Sequence, residues 1–202
     1  MYNIIKIFGL ILLSQLAMAS PLSDTALRLI KTGNEIRSPS VVLSGQRLLL
    51  RGMFQFNDLD AVYESSKQTR AGNSLMGYSP QATTANKLLE KLIVKGYDPA
   101  IYDAALYLLD GESGFVKDEL MALNLLEESV KTRANPQSAF VAAVIRNESL
   151  VAGFKDKQRI DELITFAVLN RVAGAQQYQT HYIINRGRSL QVKNWRDWLE
   201  SQ

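Results

Sequence analysis

Apolar residues return at helical spacing along most of this chain. In "ANKLLEKLIVKG" (85–96), Leu88, Leu89, Leu92 and Ile93 fall at i, i+1, i+4 and i+5, one stripe of a 3.6-residue period. Asp98-Pro99 then opens a second, more apolar helix, "AIYDAALYLL". The aspartate is expected to cap free amides, and proline suits a first turn, where its missing N–H costs nothing. The plan recurs 37 positions on: "ALNLLEESVKTR" is followed by Asn135-Pro136 and "QSAFVAAVI". A looser third unit pairs "IDELITFAVLNR" with "AQQYQTHYII", and Gly174 stands where the proline stood.

Short punctuating stretches carry the same period. "GYSPQATTA" (77–85), "GFVKDELMA" (114–122) and "GFKDKQRID" (153–161) each precede a first helix. Gly77, Gly114 and Gly153 are expected at positive φ, where the backbone reverses after a second helix. Tyr78, Phe115 and Phe154 are expected to fill the gap between successive pairs, and Asp118 to cap the next first helix. Ala85, Ala105, Ala122, Ala139 and Ala142 are small where paired helices approach closely. The predicted fold is all-α: a solenoid of stacked helical hairpins in which each pair buries its face against the next.

The repeats span 77–186, about three helix pairs. Before them, 20–76 holds three helices of poorer pattern, expected as a degenerate repeat and cap: 23–34, ending at Gly33; 38–54; and a polar one in 57–73, broken at Gly72 and Asn73. After them, "LQVKNWRDWLE" (190–200) places Trp195, Trp198 and Leu199 on one face, so 187–202 reads as the capping helix a terminal repeat needs.

The units resemble Sel-one-like repeats, bacterial relatives of the tetratricopeptide repeat. Gly114, Phe115, Asp118 and Ala122 fall on that family's spacing, with phenylalanine for its valine and Met121 for its lysine. The unit 114–147 matches well, 77–110 fairly and 153–186 weakly. The resemblance implies a right-handed solenoid that binds other proteins, with no catalytic residues or cofactors. Exported relatives resemble envelope adaptors, and some resemble immunity proteins that neutralise a secreted toxin.

The N-terminus changes the compartment. One lysine, the apolar run "IFGLILLSQL", and Ala17-Met18-Ala19 before Ser20 make residues 1–19 a secretory signal peptide. The run is half the roughly 20 residues a membrane span needs, and no later stretch is long enough. Residues 20–202 are therefore expected as one exported domain, most readily periplasmic. With no cysteine, apolar packing rather than disulfides must hold it together, and thiol chemistry is excluded. The formal charge of +3 falls by one with Lys6, too little for a nucleic-acid surface.

Candidate chemistry is sparse. His181 is the sole histidine, and zinc ordinarily takes three or four protein ligands. Asp110/Glu112, Asp118/Glu119 and Glu127/Glu128 could be paired carboxylates, but they read as caps and solvated faces, with Glu127 four residues before Lys131 as a surface ion pair. "GNSLMG" (72–77) lacks nucleophile-elbow spacing, and there is no phosphate loop. Two surfaces are candidates for a protein partner. One is the less buried side of the first helices, expected to line the concave face: Lys87, Lys91, Asn124, Glu128 and Lys131. The other is an end patch of Arg186, Arg188, Lys193 and Arg196 beside Trp195 and Trp198, the residue types that interface hot spots favour. A wet helix face and a solvated capping helix are the plain alternatives. The functional expectation is stoichiometric protein binding, as an immunity protein against a secreted toxin or as an envelope adaptor, with a hydrolase the remote alternative.

Overall fold

A computed structural model describes residues 20–189, which form nine α-helices and, among the described residues, no strand. They are α1 (Pro21–Glu35), α2 (Pro39–Gln55), α3 (Leu59–Ala71), α4 (Ala82–Val94), α5 (Asp98–Asp110), α6 (Glu119–Arg133), α7 (Pro136–Asn147), α8 (Lys157–Leu169) and α9 (Ala175–Ile184). A single 3₁₀ turn, Ser74–Met76, lies between α3 and α4. No helix among the described residues is long and apolar enough to cross a membrane.

Polar side chains start most of these helices. Ser20, Asp58, Asp118, Asn135 and Asp156 each accept from a backbone N–H two or three residues on, satisfying amides that the first turn leaves without partners. Asp98 does not do this. Tyr97 is the N-cap of α5, and the Asp98 carboxylate reaches into the next unit to accept from Ser129 Oγ and Asn135 Nδ2. Gly33 also departs from expectation. It lies inside α1, fully packed, where an added Cβ would stand 2.6 Å from the Val42 nitrogen. It lets α2 approach α1 closely rather than ending the helix.

The helices form two rows, odd-numbered against even-numbered, and each packs chiefly on its neighbours in the chain. The closest approaches are α1–α2, α3–α4, α5–α6 and α7–α8. The pairs drawn by the sequence repeat (α4–α5, α6–α7, α8–α9) are looser. Hydrogen bonds between units repeat the period directly. Asp60–Tyr97, Gly96–Arg133 and Asp98–Asn135 are each 37 residues apart, Asn57–Lys95 and Ser20–Asp58 are 38, and Asn34–Asn73 are 39. The first three helices therefore stack on the same interval as the rest, although their sequences follow the repeat poorly.

Apolar packing falls into three clusters. Ala26, Ile30, Leu49 and Ala61 join α1, α2 and α3; Leu89, Leu92, Ala100 and Ala104 join α4 and α5; the largest runs from Ala105 to Tyr182. Phe115 and Leu125 pack against both of the last two and connect them. Phe115 and Phe154 fill gaps between units as expected. Tyr78 does not: it is about half exposed, in an isolated bridge with Asn73. Gly77, Gly114 and Gly153 all have positive φ, as reversal of the chain demands.

Candidate functional site

Burial is deepest in the middle of the odd-numbered row. No residue of α5 is exposed, and in α7 every residue from Ser138 to Ile145 is buried. The first helices α4, α6 and α8 instead turn a continuous wet side outward. The most sheltered helices are thus α5 and α7, while more than half of α9, at the end of the described stack, is exposed.

Lys87, Lys91, Asn124, Glu128 and Lys131 are all exposed and share one register. Counting from the caps Gln81, Asp118 and Asp156, the sixth residue is Lys87, Asn124 and Glu162. The tenth is Lys91, Glu128 and Phe166, and the thirteenth is Val94, Lys131 and Leu169. The outward row mixes both charges with large apolar groups: Val94 is 87% exposed and Leu169 75%. Sequence reading missed the α8 members because the third unit is the weakest match to the repeat. The caps Asp118 and Asp156 were the signal that would have extended the register.

The end patch is only partly described. Arg186 and Arg188 are exposed beyond α9. The carbonyl of Arg188 accepts from Asn147 Nδ2 at 3.5 Å, and Ser189 Oγ bonds Glu148, so this stretch is tied back to the end of α7. Lys193, Trp195, Arg196 and Trp198 lie outside the described residues.

A second constellation, absent from the sequence reading, lies between α3 and α5. Tyr63 donates to Asp103 Oδ2 at 2.8 Å; its ring is 5.5 Å from that of Tyr97, and Lys67 stands 5.1 Å over it. Lys67 also pairs with the nearly buried Glu64 at 3.2 Å. Arg70 stacks 4.5 Å over Tyr107 and donates to Ser113 O and Asn86 Oδ1. Burial pushes the Asp103 carboxyl above its ordinary range, against the opposing pull of the Tyr63 bond, Lys67 and Arg70. Burial, then the bond to a carboxylate, raises the phenols of Tyr63 and Tyr97 as well. Neutral phenols donating to carboxylates clasp two helices, and the shift runs opposite to what a phenolate nucleophile needs. Polar letters interrupting the apolar run "AIYDAALYLLD" were the signal for this seam.

The remaining candidates are dispersed. His181 is exposed on α9. Asp118 caps α6 and Glu119 pairs with Lys117 at 2.9 Å. Glu127 does not pair with Lys131; it is held by Arg146 at 2.7 Å and Arg159 at 2.5 Å, tying α6 to α7 and α8. Among the described residues, no group of three or more histidine and carboxylate side chains is placed to hold a metal ion. No family model matches the chain, and no curated protein or solved structure matches it.

Proposed function

We propose that this chain is an exported, non-enzymatic protein that acts stoichiometrically, binding another protein along the outward row of α4, α6 and α8. The observation that carries the reading is the shared register of that row. Three alternate helices repeat the same positions, eight of the nine exposed, and fill them with lysine, glutamate, asparagine and apolar side chains, while Phe166 is half-buried against the core. Mixed charge beside apolar groups favours one complementary partner over general stickiness. Two roles fit this surface: inhibition of a secreted toxin, and an adaptor in envelope assembly or secretion. Genes beside its own separate them, a toxin-like reading frame favouring the first and envelope-assembly genes the second.

The test reverses charge on the row. Residues 20–202 and a Lys87→Glu, Lys91→Glu, Lys131→Glu variant are compared by cross-linking in periplasmic extract. The variant's far-ultraviolet dichroism and Tm should stay at the parent values, since all three side chains are exposed. A discrete cross-linked protein should be retained by the parent and weakened about tenfold or more in the variant. Equal capture by both would remove the row as the binding surface.

A further inference from the structure

The start of α1 faces two carboxylates. The Ser20 N–H donates to Asp60 Oδ2 at 2.7 Å, and the Ser20 hydroxyl donates to Asp58 Oδ2. The other Asp60 oxygen accepts from the Tyr97 hydroxyl at the start of α5. The other Asp58 oxygen accepts from the backbone of Asp60 and Ala61. Among the described residues, no lysine or arginine forms an ion pair with either carboxylate, so both are met by neutral donors alone, among them the Ser20 N–H and hydroxyl, the Tyr97 hydroxyl and two backbone amides. Ser20 is also the residue that Ala17-Met18-Ala19 places first after cleavage.

We propose that removal of residues 1–19 converts the Ser20 amide into an α-ammonium that Asp60 and Asp58 bind, locking α1 onto α3 and α5. The inference rests on the export reading. Hydrolysis breaks the Ala19–Ser20 bond: water's hydroxyl goes to the Ala19 carbonyl carbon and its proton to the Ser20 nitrogen, which takes a further proton from solvent at neutral pH. A hydrogen bond assisted only by the carboxylate's charge thereby becomes an ion pair with charge on both partners. An ammonium at a helix N-terminus opposes the helix dipole, and the two carboxylates outweigh that opposition. The groups around it are Asp58, the cap of α3, Asp60 in its first turn and Tyr97 at the start of α5, with Asp24 on α1 itself; Glu64 lies near Tyr97 and pairs with Lys67. Lys95, at the end of α4, bonds Asn57 instead.

Three purified chains test the lock: residues 20–202 with a free Ser20 amine, the same chain Nα-acetylated, and the free-amine chain carrying Asp60→Asn. The rate of Ser20 acylation against pH, read by mass on the peptide 20–28, should show the amine titrating about one unit or more above its ordinary value near 8. Asp60→Asn should return it to that value. A raised folded-state value means that the added stability is fully present below about pH 8. It is then lost as pH rises through the raised value. The free-amine chain should therefore melt several degrees above the acetylated one at pH 7, with the gap closing at high pH. Acetylation leaves every side chain intact, so this comparison decides even if the Asp60 variant does not fold. An ordinary amine titration, with both chains melting together throughout, overturns the lock while leaving the export reading in place. An exported chain found by mass to begin elsewhere than Ser20 overturns the processing step and the cleavage site of the export reading together.

Discussion

Glu127 shows how far a single residue can depart from its local pattern. Its spacing to Lys131 suggests a weak surface pair, worth a few tenths of a kcal/mol. In the fold it lies nine residues past the Asp118 cap, on the side of α6 facing α8, and two arginines converge on it. Burial alone would raise its carboxyl, but the bonds from Arg159 and Arg146 outweigh burial and hold it below the ordinary range. Glu127→Gln should therefore cost about 1–3 kcal/mol in urea denaturation at pH 7, leaving Arg146 without its anion and Arg159 with the more exposed Glu162 alone. The sign follows from the lowered value. The stability Glu127 contributes is present above its unfolded value, about 4.3, and is lost as pH falls through the lower folded one. Parent and variant midpoints should converge below about pH 4.

At the scale of elements, two kinds of glycine separate. Gly45 sits in mid-α2, where an added Cβ would stand 2.6 Å from the Ala26 carbonyl oxygen and 2.7 Å from Ile30 Cγ1. Helix propensity alone would make alanine better there by nearly 1 kcal/mol. The clash is with backbone, however, so α1 and α2 must part, and Gly45→Ala should destabilise by about 1–3 kcal/mol. Gly153 has open space around it but a φ of +80°. Gly153→Ala should cost only the left-handed penalty, about 1–2 kcal/mol. Guanidinium titrations of the two variants check both, and a stabilised Gly45→Ala would refute the close approach. The reversal glycines were legible because each punctuates the repeat. Gly33, Gly45 and Gly52 were not, because a glycine within an apolar stripe looks the same whether it ends a helix or admits a neighbour.

Across the whole molecule, contacts run from each helix to its neighbours, so stability is distributed along the stack rather than gathered at one centre. The α1–α3 cluster is small, and the one reaching from α5 to α9 is extensive. Native-state hydrogen exchange should find the slowest amides in α7, whose middle is buried all round, and faster ones in α1 and α2. Gly45→Ala should then speed exchange in α1 and α2 while leaving α7 and α8 nearly unchanged; equal loss everywhere would mean one cooperative unit. The register of the proposed binding row belongs to this scale too. Lys87 and Asn124 are solvated positions on separate helices that the repeat places at the same distance from their caps.

Period, caps and reversal points are local, so the sequence by itself determined the helices, their interval and the all-α class. Each depends on a few neighbouring residues whose backbone preferences do not wait for the rest of the chain. Which side chains meet across units was decided only by the tertiary structure. Asp98 left its own helix for Asn135, Asp103 found Tyr63, and Asp60 found both Tyr97 and the Ser20 amide. A carboxylate's partner is set by distances between helices, and those come from how small residues let the helices close.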